Sequence, residues 1–446
     1  MTNNHSYRIE RDPLGEKRVP AEALFGVQTL RGKEAFQISK LRMHPGLFTA
    51  FAEIKCAAAE ANLQNKQLDK DIGDAIITVA NEIISGKWRD QFDLDVFQAG
   101  AGTSYNMNVN EVIANRALEL LGAERGDHER VNPNDHVNKS QSTNDTMPTA
   151  MRIAAIRLLR KLLTSLDSLA ESFDKKGEEF KKVKKSGRTH LHDAVPMTLG
   201  DEFVAYAANV RRAIDRLEAA EEPLLEIPLG GTAIGTGVNT KPRYKELAVE
   251  HLQRITELPL RESDNPVPLT HSLSDFVALS ANLRCLAVEL SKIANDLRLL
   301  NSGPHTGFNE IELPATQPGS SIMPGKVNPA VAEMLNMVCF HVIGQDTAIT
   351  MCGEAGQLEL NVMMPYVAYA LLESLEVMEA AVRTFDEKCV RVIRAHQEQC
   401  AEYAERTVGK AALHNEELGF MGASELANKA IETGKSVDEV LAEEEK

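Results

Sequence analysis

The sequence predicts an all-α, mainly helical protein built around a bundle of long helices. Aromatic residues make up only 5% of the 446 residues, whereas the helix formers Ala, Leu, Glu and Lys recur in long tracts. The clearest pattern lies in 275–300, where apolar residues alternate in steps of three and four: Phe276, Leu279, Leu283, Leu286, Leu290, Ile293, Leu297 and Leu300. This heptad spacing is typical of long helices that pack side by side.

Four further segments show helical spacing of apolar residues, at 149–173, 203–217, 330–350 and 366–386. With the heptad helix they predict a five-helix bundle in a central domain, residues 142–396. An N-terminal domain (1–141) and a small C-terminal helical domain (397–446) flank it. Because heptad seams of this length often continue across subunits, we expect an oligomer; a bundle confined to one chain is the alternative.

Charge and composition exclude several classes of function. The formal net charge is −16, from 49 Lys and Arg against 65 Asp and Glu, which disfavours binding to nucleic acid or anionic membranes. No apolar run approaches the ~20 residues of a membrane span, and the N-terminus lacks the apolar core of a signal peptide. The six cysteines show no CxxC or zinc spacing. We therefore expect a cytoplasmic protein with reduced thiols.

Four polar stretches interrupt the helical pattern: Gly100–Ser104, Asn138–Asp145, Gly187–Asp193 and Pro318–Pro329. Taken singly, each is explained by helix caps or structural histidines. Together they supply hydroxyls, amides, imidazoles and the cations Lys326 and, as a candidate, Arg188, with few carboxylates. Such groups form charge-assisted hydrogen bonds to anions. The inventory suits a small dicarboxylate ligand.

Nucleotide and metal motifs are not matched. A phosphate-binding P-loop has four residues between its two glycines and a Ser or Thr directly after its lysine. Here five residues separate Gly319 from Gly325, and Val327 follows Lys326, so neither requirement is met. Residues 230–237 do not fit the GxGxxG pattern of dinucleotide binding, and neither HExxH nor an EF-hand pattern occurs. The sequence predicts no protein metal site.

Residues 319–329, Gly-Ser-Ser-Ile-Met-Pro-Gly-Lys-Val-Asn-Pro, resemble the signature of the aspartase/fumarase superfamily. The other three stretches match in the same order, as do Val19-Pro20 and 26–29, so the resemblance spans residues 6 to about 435. It implies a three-domain, almost all-helical fold. It also implies a homotetramer in which five helices from each subunit form a 20-helix core and each active site takes loops from three subunits.

Within the superfamily the chain looks most like the aspartase branch, since His136 stands in Asn132–Lys139 where class II fumarases typically carry Asp. The pair Gly230-Gly231, in contrast, is more typical of fumarases. The aspartase resemblance implies a carbon–nitrogen lyase for reversible anti elimination of ammonia from L-aspartate, giving fumarate through an aci-carboxylate. A class II fumarase, a fumarate-forming lyase with another amine and a catalytically silent tetramer are the alternatives.

The resemblance also implies roles for individual residues. Ser320 is the expected general base, acting as an oxyanion, and backbone N–H groups around Gly319–Ile322 are expected to stabilise it. His190, Lys326 and Glu333 are the other expected catalytic residues, with Glu333 orienting the active-site histidine. The expected substrate contacts are Thr103, Ser142, Thr143 and Ser321 at the β-carboxylate, Thr189, Lys326 and Asn328 at the α-carboxylate, and Asn144, His190 and Thr103 at the amino group. No organic cofactor is expected, and activation by Mg²⁺ stays open.

Several positions depart from the family pattern. Met364 stands where aspartases usually have Glu and fumarases have a basic residue, so this position favours neither branch here. His305 replaces an expected Arg, and His192 replaces a common Gln. The chain also stops before the closing helical segment usual in the family. The substrate-site residues match the family pattern, so we expect the chemistry to be kept despite the departures at Met364, His305 and the C-terminus.

Overall fold

The computed structural model describes residues 6–98 and 100–444, and within them the chain is mainly helical, as predicted. The long helices of the predicted bundle are α5 (Thr143–Phe180), α6 (Leu199–Glu221), α9 (Ser274–Leu300), α10 (Ala330–Glu354) and α11 (Met364–Lys388). The other helices are α1 (Val27–Ala35), α2 (Pro45–Gln64), α3 (Lys70–Ile84), α4 (Thr103–Leu120), α7 (Tyr244–Thr256), α8 (Pro266–His271), α12 (Gln397–Arg406), α13 (Asn415–Thr433) and α14 (Val437–Glu444).

The described strands are short and form two-stranded sheets. The two hairpins pair β1 (Tyr7–Asp12) with β2 (Gly15–Pro20) and β3 (Lys184–Thr189) with β4 (His192–Thr198), both antiparallel. Two-residue strands form the other pairs, β5 (Glu226–Ile227) with β6 (Arg261–Glu262) in parallel, and β7 (Ile311–Glu312) with β8 (Arg394–Ala395) antiparallel. The stretch at 187–193, expected as a loop, is therefore part of a hairpin.

All five predicted bundle helices form, and each is longer than its apolar pattern indicated. All eight apolar residues of the heptad pattern in α9, from Phe276 to Leu300, are buried within this single chain. The seam is therefore filled by the chain's own helices, and it does not by itself require a partner subunit.

The chain divides into two compact units, and each of the five long helices contributes residues to both. The first unit holds the chain up to Lys161, together with Leu217–Leu283 and Ile343–Glu376. The second unit holds Leu162–Arg216, Arg284–Val342 and the chain from Val377 onward. The division into three domains stays a prediction.

Most of the cysteines lie in the interior of the described structure. All six thiols are unpaired, and four of them, Cys56, Cys339, Cys389 and Cys400, are buried. No helix in the described residues is both long and apolar enough to cross a membrane.

Candidate active site

In the first unit, a polar cavity of about 620 Å³ lies at the N-terminal ends of α4 and α5. Thr103, the first residue of α4, lines it and donates its hydroxyl to the Gly100 carbonyl at 2.6 Å. Gly102, just before, has a φ of 93°, and a Cβ there would lie 2.7 Å from the Met147 sulfur. Only glycine fits both the backbone conformation and the space, so the glycine-rich stretch brings Thr103 to the cavity.

At the start of α5, a reciprocal cap exposes hydroxyl groups to the same cavity. The Ser142 hydroxyl accepts from the Asn144 backbone N–H at 3.2 Å, and Asp145 Oδ1 accepts from the Ser142 N–H at 3.0 Å. This pairing corresponds to a capping box. Thr143 Oγ1 accepts from Asn106 Nδ2 at 3.1 Å. Two helix N-termini thus border the cavity, and each contributes a partial positive charge that attracts anions.

Asn144 does not line this cavity. Its side-chain amide donates to the Ala233 carbonyl at 2.8 Å, so it braces the 230–233 loop. Asp145 braces the same loop, since its Oδ2 accepts from the backbone N–H groups of Gly230 at 3.1 Å and Thr232 at 2.9 Å. Burial raises the pKa of Asp145 to about 6.

Beside the cavity lies Lys55, a fully buried lysine of α2 that the sequence analysis missed. Its ammonium donates to Asn106 Oδ1 at 2.7 Å, Asn138 Oδ1 at 3.0 Å and Gln141 Oε1 at 2.8 Å. All three amides line the cavity. Burial lowers the pKa of Lys55 to about 7, an effect that the Asp145 carboxylate opposes. A lysine inside the apolar, Ala-rich segment of α2 was the available signal.

In the second unit, Thr189 and His190 lie exposed at the tip of the β3–β4 hairpin. His190 and Leu191 form its two-residue turn, with φ values of 56° and 60°. Positive φ at both turn residues is the geometry of a type I′ hairpin, which matches the twist of the strands. Arg188, a candidate ligand cation, is instead engaged by Glu310, with Nη1 2.9 Å from Glu310 Oε2.

Ser320 lies in the second unit, in a loop that borders a cavity of about 440 Å³ formed by residues 315–327. Its hydroxyl oxygen accepts from the backbone N–H groups of Ile322 at 3.2 Å and Met323 at 2.9 Å. Backbone donors to this oxygen were expected around Gly319–Ile322, and the structure supplies them from Ile322 and the next residue. Such donors favour the anionic form of a hydroxyl.

Hydrogen bonds within the loop set its shape. Asn328 Nδ2 donates to the Gly319 carbonyl at 2.6 Å, and the Gly319 N–H donates to the Lys326 carbonyl at 3.0 Å. Ser321 and Lys326 have exposed side chains. Within residues 6–98 and 100–444, no acidic side chain lies within ion-pair distance of the Lys326 ammonium. This cation is therefore free to meet an anionic ligand.

Glu333 lies in the first turn of α10, with Oε1 3.7 Å from Arg298 Nη2. In the described part of this chain it makes no hydrogen bond to His190, so the chain alone does not form the predicted contact. Apart from Asn144, the predicted site residues thus lie at the first-unit cavity, at the tip of the second unit's hairpin, or in the loop of 318–329 with the start of α10. Among the described residues, no cluster of three or more His, Cys, Asp or Glu side chains could hold a metal ion.

A family model described as Lyase matches residues 15–344, about three quarters of the chain. The chain belongs to this lyase family. The resemblance to the aspartase/fumarase superfamily is thereby confirmed, and the aspartases are similar over the full length of the chain. Aspartate ammonia-lyase of Bacillus subtilis is 47% identical over 100% of this chain and 95% of its own length. That of Escherichia coli K12 is 46% identical over 99% of this chain and 93% of its own length.

Solved structures agree with this assignment of the fold. A fumarate lyase/delta crystallin of Brucella melitensis, solved with cobalt bound, has a TM-score of 0.96 and 47% identity, covering 98% of this lyase and 96% of that chain. A class II fumarase of Schistosoma mansoni has a TM-score of 0.95 and 34% identity, covering 98% of this lyase and 95% of that chain. This lyase thus shares its architecture with a class II fumarase.

Proposed function

We propose that this lyase is an aspartate ammonia-lyase, which reversibly eliminates ammonia from L-aspartate to give fumarate. The observation that carries the proposal is the first-unit cavity, where two helix N-termini, several hydroxyls and the buried Lys55 favour a carboxylate. The full-length identity of 46–48% to aspartate ammonia-lyases supports the choice of substrate. No organic cofactor enters the reaction, and activation by Mg²⁺ is left to a comparison of rates with and without the metal.

Ser320 is the proposed general base. As an alkoxide it takes a proton from the carbon next to the β-carboxylate, and the electron pair moves into that carboxylate to form a dianionic aci-carboxylate. Collapse of this intermediate forms the carbon–carbon double bond and expels the amine from the neighbouring carbon. A serine hydroxyl is a very weak acid, so the alkoxide needs donors, and the N–H groups of Ile322 and Met323 support this role.

The substrate's groups are assigned by the chemistry of the side chains. Hydroxyls of Thr103, Ser142, Thr143 and Ser321 bind the β-carboxylate and its aci form. Lys326, with Thr189 and Asn328, holds the α-carboxylate through a charge-assisted contact. His190, Asn144 and Thr103 surround the amino group, and Glu333 orients His190. Two observations support these roles: the exposed ammonium of Lys326 has no acidic partner among the described residues, and Thr103, Ser142 and Thr143 line the cavity.

The working form is a homotetramer in which each active site draws on three subunits. One observation supports this proposal: α10 carries an exposed apolar stripe. Met337, Phe340 and Met351 of α10 are 65%, 61% and 68% exposed, and at ~100° per residue they lie within an arc of about 60°. Light scattering should give a mass near four times 49.0 kDa. A monomer at micromolar concentration would contradict the tetramer.

Fumarate absorbance with purified enzyme at mildly alkaline pH tests the function, with L-aspartate and L-malate supplied in parallel. Fumarate from aspartate alone supports an ammonia-lyase, and it would show that the buried Met364 does not dictate the leaving group. Fumarate from malate alone would assign the chain to the fumarase branch. Fumarate from neither substrate would reject both activities and call for a screen of other amines against fumarate.

A further inference from the structure

Four charged side chains pack together under the β3–β4 hairpin in the second unit. Lys185 Nζ lies 2.7 Å from Glu202 Oε1 and 3.0 Å from Glu310 Oε2. Arg188 binds the same Glu310 through both terminal nitrogens, at 2.9 and 3.1 Å. The side chains of Glu310 and Lys185 are only 0% and 1% exposed. Two cations and two carboxylates balance in charge, so each buried ion is compensated by its neighbours.

Aromatic rings also restrain the Arg188 guanidinium. Its central carbon lies 4.3 Å from the centroid of the Phe308 ring and 5.3 Å from that of Tyr403. A planar guanidinium can bind a carboxylate through two nitrogens and stack on rings at the same time, whereas a lysine ammonium does neither in the same way. The contacts fix Arg188 in place and occupy the groups with which it would bind a ligand.

Arg188 immediately precedes the hairpin tip. It pairs with Asp193 in the β3–β4 register, and the next pair, Thr189 with His192, closes the two-residue turn. The opposite strand is anchored as well, because Thr407 Oγ1 donates to the Ala194 carbonyl at 3.0 Å. The turn itself is exposed, so its placement depends on the anchored strand residues next to it.

We propose that Arg188 is a positioning residue, which, clamped by Glu310, Phe308 and Tyr403, fixes the hairpin tip so that Thr189 and His190 meet the substrate in one orientation. The inference deepens the proposed function and rests on it. Arg188 acts on the reaction through Thr189 and His190 and does not bind the substrate itself. A displacement of about 1 Å at such a group is enough to cost about 100-fold in rate.

The test compares Arg188→Lys with Arg391→Lys. Arg391 is a matched control in the second unit, since it also binds one carboxylate, that of Asp386, through two nitrogens at 3.2 and 2.6 Å. Arg188→Lys should lower kcat/KM about 100-fold, with part of the loss in kcat. Arg391→Lys should stay within about twofold of the wild type. Added guanidinium should restore part of the activity of Arg188→Ala.

A second readout does not depend on turnover. Amide hydrogen exchange, followed by mass spectrometry, should be faster in peptides covering 189–195 of Arg188→Lys than in the same peptides of Arg391→Lys. Tyr403→Leu removes one ring without touching the buried ions, and it should give a smaller change in the same direction. If Arg188→Lys folds poorly, Tyr403→Leu still tests the inference.

The inference would be overturned if Arg188→Lys kept the kcat, the KM and the rate of hairpin amide hydrogen exchange of the wild type. Equal losses in Arg188→Lys and Arg391→Lys, without guanidinium rescue, would also overturn it, because they indicate general destabilisation. If the wild type forms no fumarate from aspartate, the proposed function fails. The hydrogen-exchange comparison still decides whether Arg188 holds the hairpin tip.

Discussion

The first-unit cavity and the 318–329 loop of the second unit differ in how firmly their groups are held. In the cavity, the buried Lys55 is tied to three side-chain amides, and Asp145 to three backbone N–H groups. In the loop, Ser320 is held by two hydrogen bonds from its own neighbours, and Ile322 is 83% exposed. The polar groups around the cavity are thus preorganised, whereas the proposed base and the proposed α-carboxylate ligand Lys326 lie in an exposed segment.

This difference matters because the two tasks have different physical demands. Binding a dianion gains most from fixed dipoles that need no reorganisation when charge arrives. Proton abstraction by a serine alkoxide needs water excluded at the moment of reaction, which an exposed loop achieves only when it is covered. The three prolines and two glycines of 318–329 suit a hinged lid, and we predict that this loop closes over the bound substrate. The variants below separate the two regions.

The largest expected effect is at Ser320. Ser320→Ala removes the proposed base, and kcat should fall about 10³-fold or more. Ser436→Ala is the matched control, because Ser436 also accepts a backbone N–H, that of Glu439 at 3.3 Å, but at the start of α14. The control should lose some thermal stability and keep its turnover. Steady-state assays of fumarate formation measure both, and near-normal kcat in Ser320→Ala would remove Ser320 as the base.

Lys326→Ala removes a cation from the same loop without touching its internal hydrogen bonds. Loss of a charge-assisted contact to the α-carboxylate, worth about 1.5–3 kcal/mol, should raise KM for aspartate roughly 10- to 100-fold. Lys388→Ala, at the exposed C-terminal end of α11, removes the same charge from outside the loop and should leave KM unchanged. An unchanged KM in Lys326→Ala would reject its assignment to the α-carboxylate.

Local sequence signals predicted one part of this molecule and missed another. The α9 helix was predictable because its apolar spacing is a property of a single segment. The β3–β4 hairpin was not, because Lys184 and Lys185 break any apolar alternation and the turn, His190-Leu191, lacks the usual Asn-Gly signal. The motifs located the predicted site residues. They did not reveal Lys55, whose role arises only from the three amides that folding brings around it.

Lys55→Met tests the preorganised region. The variant removes the donor to three amide oxygens, a buried cation beside the cavity, while keeping a long, apolar side chain. We expect about a tenfold loss of affinity for succinate, an unreactive dicarboxylate, because the amides lose their fixed orientation. Calorimetric titration of the wild type and variant measures the loss. Unchanged affinity would show that the helix N-termini and hydroxyls suffice for binding.

Lys55 should also contribute a pH dependence of stability. Its pKa is about 7 in the folded chain and 10.5 as a model value, so between these values the unfolded chain binds the extra proton. This group therefore raises the free energy of unfolding as pH rises from 7 towards 10.5, and its contribution disappears as pH falls through 7. Asp145 acts oppositely at lower pH, because its raised pKa of about 6 favours the folded form below that value.

The difference in melting temperature between the wild type and Lys55→Met isolates the lysine, because the other titrating groups are common to both proteins. Relative to the variant, the wild type should become more stable between pH 7 and pH 9, by at most about 1.4 kcal/mol per pH unit. A constant difference over this range would mean that Lys55 keeps its proton in the folded chain. In that case the cavity carries a permanent positive charge, and its affinity for a dicarboxylate should not weaken as pH rises.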